Sequence, residues 1–294
     1  MGVVAPLLFL TALLVGTTVA TRRAARELPV AATQRLRDAA RTTRRWRLGG
    51  LVVGIGVAAV VAEQGALGRG LLLAAPLCAL CILAGVVVGE LRVTAPRGPV
   101  RSAALEIRRV RDYLPRRLTA VVASATALLA LVLGLTTATG SADDVGRAGR
   151  SFARRCNAVS GGSTGPWPGS YYSVPLAIVV LSGLLLAGFA IWRVVQRPRQ
   201  GEDTTVDDGL RRQAAEAVTA ACGLLVSVPF AGVALISASA LGNHVCPPGG
   251  SSVAVVALLL LVPALVVLAA WCVGVLIAPA GTGRPADLAA AARP

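Results

Sequence analysis

The chain has 294 residues, of which 55% are hydrophobic and only 15% are charged. Water-soluble globular domains carry about a quarter charged residues, whereas the apolar residues here form long blocks, which is typical of a membrane protein and excludes an ordinary soluble domain. The net charge of +15 would favour nucleic-acid binding in a soluble protein, but the arginines lie between the apolar blocks, where they direct membrane topology, so we expect no nucleic-acid partner.

Seven apolar stretches are predicted to be transmembrane helices, because about 20 mostly apolar residues are needed to cross about 30 Å of hydrocarbon. The predicted spans are residues 3–20, 48–62, 71–89, 118–138, 174–192, 217–241 and 253–279. The predicted fold class is therefore all-α, a polytopic membrane helix bundle that forms a single transmembrane domain. Six helices remain if the first span fails, or if the short span before Glu63 does not cross. The stretch 48–89 is too long for one helix, so we expect it to fold back near 63–69.

The first apolar stretch is interpreted as a retained helix and not as a signal peptide. No basic segment precedes it, and no small-x-small cleavage site stands before the arginines that follow it. Positive charge after the span directs the N-terminus to the outside of the membrane. We therefore expect an N-terminus that faces outward.

The distribution of arginine predicts the orientation of the whole bundle. All 29 basic residues are arginine, and 24 of them lie in four segments that alternate to one side of the membrane. These segments are 21–47, 92–117, 193–216 and 280–294. The positive-inside rule makes that side cytoplasmic, and it places the C-terminus there as well. An arginine-only basic composition suggests a GC-rich bacterial coding sequence, so we expect the protein in a bacterial cytoplasmic membrane.

Two segments between spans have a predicted character of their own. Residues 92–117 form a cytoplasmic loop with an amphipathic helix, whose arginines would bind an anionic inner leaflet. Residues 139–173 form an extracytoplasmic loop. Polar aromatic residues fall near the predicted span ends, as an interfacial belt would require. They are Trp46 and Trp192 at inner ends, with Trp167, Tyr171 and Tyr172 near an outer end.

Cys156 and Cys246 are predicted to form a disulfide. Both lie between predicted spans, and the topology derived from arginine alone brings both to the outer side, where disulfides persist. Such a bond would connect the last two hairpins at their outer ends. The alternative is a pair of unpaired thiols, or pairing with another chain.

The sequence "CALC" places Cys78 and Cys81 one helical turn apart within a predicted span. Membrane thiol–disulfide exchangers use such a pair, so these residues are a weak redox candidate. The surrounding sequence is wholly apolar and offers nothing to lower a thiol pKa, and buried cysteine commonly packs as a small apolar residue. We therefore favour a packing role.

No metal or cofactor site is expected. His244, the only histidine, stands two residues before Cys246, but a zinc site needs three or four convergent ligands. His244 is interpreted as a solvated loop residue. The chain has no zinc-protease, nucleophile-elbow, phosphate-loop or dinucleotide-binding motif, so we expect no enzymatic activity.

Glycine and proline mark predicted contacts and bends within the spans. Gly50 with Gly54, and Gly85 with Gly89, form G-x-x-x-G pairs at matching depth in neighbouring helices, and would allow those helices to approach closely. Pro229 and Pro263 lie near the middle of the last two spans, where they would introduce kinks.

Three functional hypotheses remain open from the residues alone. The first is a non-enzymatic structural, accessory or signalling membrane component that acts through an unknown membrane-protein partner, since the spans have no mid-membrane charge and the loops are short. The second is a transporter or channel for a small or lipidic solute, built around Pro229 and Pro263. The third is a membrane thiol–disulfide oxidoreductase that uses Cys78 and Cys81.

Overall fold

The computed structural model describes residues 16, 18, 34–64, 66–92, 110–157, 160–196 and 204–277. Six long helices dominate these residues. They are α1 (Gln34–Gln64), α2 (Arg69–Arg92), α3 (Arg116–Thr139), α4 (Ser170–Gln196), α5 (Thr204–Gly242) and α6 (Ser251–Ile277). Each contains a segment that is long and apolar enough to cross a membrane. This confirms the predicted all-helical architecture and fits a multi-pass membrane protein. A short antiparallel hairpin of β1 (Phe152–Arg155) and β2 (Gly161–Thr164) was not predicted.

The six helices contain the second to the sixth predicted spans and residues 253–277 of the seventh, whose last two residues lie outside the described residues. The first predicted span, 3–20, lies outside the described residues except for Gly16 and Thr18, which are both helical. Gly16 lies against α6, because a Cβ atom at this glycine would be 3.5 Å from the carbonyl oxygen of Ala270. Most of the predicted amphipathic segment 92–117 also lies outside the described residues, which resume with a short 3-10 helix at Val110–Asp112.

α1 and α2 form a tight hairpin, with the reversal where it was expected. Leu67 and Gly68 both adopt positive φ, 61° and 79°, which turns the chain through a left-handed bend. Apart from α2, α1 makes few contacts with the other described helices, and most of its side chains face outward. The hairpin is therefore attached to the bundle mainly through α2.

The predicted glycine pairs form the seam between α1 and α2. A Cβ atom at Gly50 would lie 2.6 Å from the carbonyl oxygen of Cys81, and one at Gly85 would lie 2.5 Å from that of Trp46. Gly54 faces Cys78, and Gly89 faces the backbone of Thr43 with similar closeness. The backbones of α1 and α2 therefore touch along two helical turns. Any side chain larger than hydrogen at these glycines would prevent this contact.

α5 is the central helix of the bundle and contacts α2, α3, α4 and α6. Its buried face is made of alanine and other small residues with a few large apolar side chains, among them Leu225 and Phe230, which are fully buried. α5 runs without interruption through Pro229, and α6 does so through Pro263. Both helices are thus continuous at these prolines, and the kinks stay a prediction.

Side-chain contacts show which of the segments between helices lie at the same end of the bundle. At one end, the Tyr172 hydroxyl donates to the carbonyl of Leu67, and the Arg69 guanidinium lies 5.2 Å from the ring centroid of Tyr171. At the other end, the Tyr113 hydroxyl donates to Asp208, 3.1 Å away. The turn between α1 and α2 thus shares an end with the start of α4. This grouping of loops is the one that the arginine pattern predicts.

Replacing Gly85 by alanine is expected to destabilise the protein by about 1–3 kcal/mol, because the added methyl group overlaps the backbone of α1 at Trp46. Thermal unfolding of the purified protein in detergent measures this. Gly56→Ala is the matched control, since nothing lies within 4 Å of a Cβ atom at this exposed position on the same hairpin. Equal stability of the two variants would contradict the glycine seam.

Candidate functional site

The cap is the ordered structure that joins the helices at one end, made of residues 140–157, 160–169 and 243–250. Cys156, just after β1, and Cys246, between α5 and α6, are paired in a disulfide with their Cα atoms 5.5 Å apart. The two cysteines that the topology argument selected therefore lie at bonding distance. Ninety residues separate them in sequence, so the bond joins two otherwise distant loops.

Backbone hydrogen bonds shape the larger loop of the cap. Ser141 and Ser151 pair through N–H···O bonds of 2.7 and 3.1 Å, which brings the chain leaving α3 beside the start of the β hairpin. The Asn157 side chain accepts hydrogen bonds from the backbone N–H and the hydroxyl of Ser160, and it holds the turn between the two strands. The loop is thus folded locally before it meets the disulfide.

Asp143 is the electrostatic centre of this loop. Its carboxylate accepts hydrogen bonds from the backbone N–H and Nε of Arg147, both at 2.8 Å, and from Nη1 of Arg150 at 2.7 Å. Partial burial raises the pKa of Asp143, but these hydrogen bonds lower it more, so this pKa lies well below its usual range. The carboxylate therefore remains ionised at neutral pH, and it orders both arginines.

An aromatic cluster fills the space beneath the hairpin. The ring of Phe152 lies 4.8 Å from that of Trp167 and 5.1 Å from that of His244, measured between centroids. Trp167 is 4% exposed and donates from Nε1 to the carbonyl of Thr136 in α3. The cluster joins the hairpin, α3 and the loop after α5 into one packed unit.

Two expectations about this end of the molecule are wrong. His244 is not a solvated residue: it is 5% exposed, and its Nδ1 accepts the backbone N–H of Cys246, which fixes the chain next to the disulfide. Trp167 and Tyr172 do not form an interfacial belt, because both are buried in protein contacts. Trp46 and Trp192 remain exposed near the other end, as a belt requires. Sequence patterns could not distinguish a packed ring from a lipid-facing one.

Three glycines seat the cap on the helix ends, and sequence reasoning had missed them. Gly140, Gly149 and Gly169 meet where α3 ends and α4 begins. A Cβ atom at Gly140 would lie 3.1 Å from the Cα atom of Gly149 and 3.3 Å from that of Gly169. Gly149 also has φ +71° and lies directly against Ser170. In a chain with 32 glycines, no local pattern singles these three out.

The surface of the cap that faces away from the helices is exposed and mostly polar, and its exposed large apolar side chains are Val145 and Val245. Arg154 and Arg155 are exposed on β1, and Val245, beside the disulfide, is 83% exposed. Gly162 on β2 lies against both Val245 and His244. The exposed side chains therefore project from a hydrogen-bonded frame that the Cys156–Cys246 disulfide closes.

The remaining cysteines lie in helix contacts. Cys78 and Cys81 are unpaired and sit in the α1–α2 seam, where Cys78 faces Gly54 and Cys81 faces Gly50. Cys222 and Cys272 are buried thiols, and Cys272 lies directly against Gly223 of α5. Within the described ranges, no group of three or more histidine, cysteine or acidic residues is placed to hold a metal ion.

The end of the bundle opposite the cap contains two buried charged residues, which lie just outside the predicted spans. α5 begins at Thr204, well before the predicted start of its span, so part of the expected loop is helical. Arg211 in this extension has no exposed surface, and its Nη1 donates to the carbonyl of Val195 at the end of α4. Glu90 at the end of α2 is also buried.

The region around Pro229 has little polar character. Pro229 lies next to the fully buried Phe230, and the nearest buried hydroxyl on α5 is that of Ser227. The Ser227 and Ser237 hydroxyls are buried and have no hydrogen-bond partner. Neither α5 nor α6 is broken, so these helices offer no unwound backbone of the type that binds solutes in carriers.

No protein-family model matches the chain, and neither a curated protein nor a solved structure matches it.

The disulfide can be tested by introducing a protease site between Gln196 and Thr204, which lies between its two cysteines in sequence. After cleavage, the two fragments are expected to migrate together on a gel without reductant and to separate with reductant. Cys156→Ser is expected to separate them in both conditions and to cost about 2–5 kcal/mol of stability. Fragments of the unsubstituted protein that separate without reductant would disprove the bond.

Proposed function

We propose that this protein is a non-enzymatic component of a bacterial cytoplasmic membrane that presents its cap to a membrane-protein partner. The observation that carries the proposal is the contrast between the two kinds of surface. The helices expose apolar side chains suited to lipid, whereas the cap is cross-linked, internally hydrogen-bonded and exposes Arg154, Arg155 and Val245. A rigid frame lowers the entropy lost when a partner binds.

The transporter hypothesis receives less support from the same features. A carrier site needs several convergent polar groups or free backbone within the bundle, whereas α5 and α6 are continuous helices and the unpartnered buried hydroxyls on α5 are those of Ser227 and Ser237. The oxidoreductase hypothesis is weaker still. Cys78 and Cys81 face the backbone of α1 across the glycine seam, whereas the disulfide lies in the cap.

The orientation that we propose places the cap outside and the opposite end in the cytoplasm. Arginines cluster in the N-terminal parts of α1, α3 and α5 and in the sequence before them, and these three helices begin at the end opposite the cap, as the positive-inside rule requires of the cytoplasmic side. With the first predicted span retained, the protein has seven spans and an external N-terminus. The outside of the cell is also oxidising, which is the environment that the disulfide of the cap needs.

Reporter fusions made after Arg41 and after Gly162 test this orientation. A reporter that is active only in the cytoplasm is expected to work after Arg41 and to fail after Gly162, and an export-dependent reporter should give the opposite pattern. The physical reason is the arginine asymmetry on the two sides. Activity of the same reporter at both positions would overturn the topology.

Site-specific photo-crosslinking in the native membrane tests the functional proposal. A photoreactive residue at Val245 or Arg155 is expected to yield a discrete protein adduct, because both side chains project from the cap. The matched control is Leu185, which is 68% exposed on α4 and would face lipid.

Two results would contradict the proposal. Absence of any protein adduct at both cap positions, with correct expression and an intact disulfide, would remove the cap as a docking surface. Adducts confined to Leu185 would instead place the partner contact within the membrane.

A further inference from the structure

Arg47 is a buried cation with no partner in the described part of the chain. Its side chain is 8% exposed, although the residues on both sides, Trp46 and Leu48, are exposed. Nε of Arg47 is buried and has no hydrogen-bond partner. The charged neighbour that acts on it is Arg44, which is also a cation. Among the residues whose side chains the structure describes, no carboxylate forms an ion pair with it.

A guanidinium in this state needs an anion. Burial of an unpaired charge is costly, and proteins offset that cost by pairing or hydrogen-bonding the charge. Arg211, the other buried arginine at this end, donates to the carbonyl of Val195. Arg47 has no such arrangement within the described residues, so the compensating group is expected to come from outside them.

The surroundings of Arg47 indicate which anion fits. Arg44 lies one turn earlier on the same helical face, and the Arg92 guanidinium lies 5.2 Å from the ring centroid of Trp46, next to Arg47 in sequence. Leu48 and Ile55 continue the face of Arg44 toward the middle of α1, and both are exposed. A cationic group followed by an apolar strip matches a phosphate followed by acyl chains.

We propose that Arg47 binds the phosphate of an anionic phospholipid, with Arg44 beside it and the acyl chains along Leu48 and Ile55. Arginine suits this role because its planar fork can make two parallel hydrogen bonds to phosphate oxygens. The site goes beyond the proposed function, since it lies at the opposite end from the cap and does not depend on any protein partner.

Thermal unfolding of the full chain in neutral detergent, with and without added phosphatidylglycerol, tests the site. This lipid is expected to raise the Tm of the unsubstituted protein by about 3 °C or more. Arg47→Gln is expected to lose this shift, and Arg47→Lys to retain only part of it. Arg117→Gln is the matched control and should keep the full shift, because Arg117 is an exposed arginine at the same end of the bundle.

Two further comparisons separate the possible sources of phosphate. Phosphatidylcholine, which has no net charge, and inorganic phosphate, which has no acyl chains, are each expected to give a clearly smaller shift. An equal shift with inorganic phosphate would assign the site to a free anion, and an equal shift with phosphatidylcholine would remove the selectivity for anionic lipid. Either outcome overturns the proposal.

The stability of the variant without lipid provides an independent test. In detergent alone, Arg47→Gln is expected to be as stable as the unsubstituted protein or more so, because it removes an uncompensated buried charge. Marked destabilisation or failure to fold would mean that Arg47 is paired within the chain, which contradicts a lipid site. Loss of the lipid shift in Arg117→Gln as well would reduce the effect to general surface charge.

Discussion

Close contact between small residues holds this bundle together. In lipid the hydrophobic effect does not drive one apolar helix onto another, so association depends on how closely the helix surfaces fit. α1 and α2 touch at backbone distance through Gly50 and Gly85. The same device recurs deeper in the bundle, where Gly183 of α4 lies against Leu225, and Gly223 of α5 lies against Cys272. Each glycine leaves a space that one neighbouring group fills.

This constraint explains why α5 takes the central position. A helix surrounded by four others must present small side chains in several directions, and α5 has alanines buried on more than one face. α1 lies at the other extreme, with one glycine-lined edge and otherwise exposed apolar residues. The two helices thus differ in how many of their faces bury small residues against neighbouring helices.

Outside the apolar region the stabilising interactions change in kind. The cap has few large apolar residues, so it is held by a disulfide, by the ion pairs of Asp143 with Arg147 and Arg150, and by the ring contacts of Phe152. These interactions need fixed geometry, and together they produce a firm surface. The cap can therefore hold exposed groups in place although it contains no regular structure larger than one hairpin.

The chain-level features of this fold could be predicted from the sequence because they depend on long blocks and on simple spacing. The apolar blocks located the six described helices, the arginine pattern grouped their loops, and the four-residue spacing of Gly50 and Gly54 indicated the seam. The features that depend on three-dimensional meeting points could not be predicted. The meeting of Gly140, Gly149 and Gly169 depends on how the whole segment between α3 and α4 folds, and the burial of His244 depends on a hairpin that its own neighbourhood does not encode.

The two buried arginines show where sequence reasoning about membrane charge reaches its limit. Arg211 and Arg47 both belong to arginine-rich segments that serve as topology signals, and in sequence neither differs from its neighbours. In the fold, Arg211 caps the end of α4 through the carbonyl of Val195, while Arg47 is enclosed without an ion-pair partner in the described part of the chain. The positive-inside rule treats all these charges alike, because it counts them by side. Burial and pairing separate Arg211, which the protein itself hydrogen-bonds, from Arg47, for which we propose a phospholipid partner.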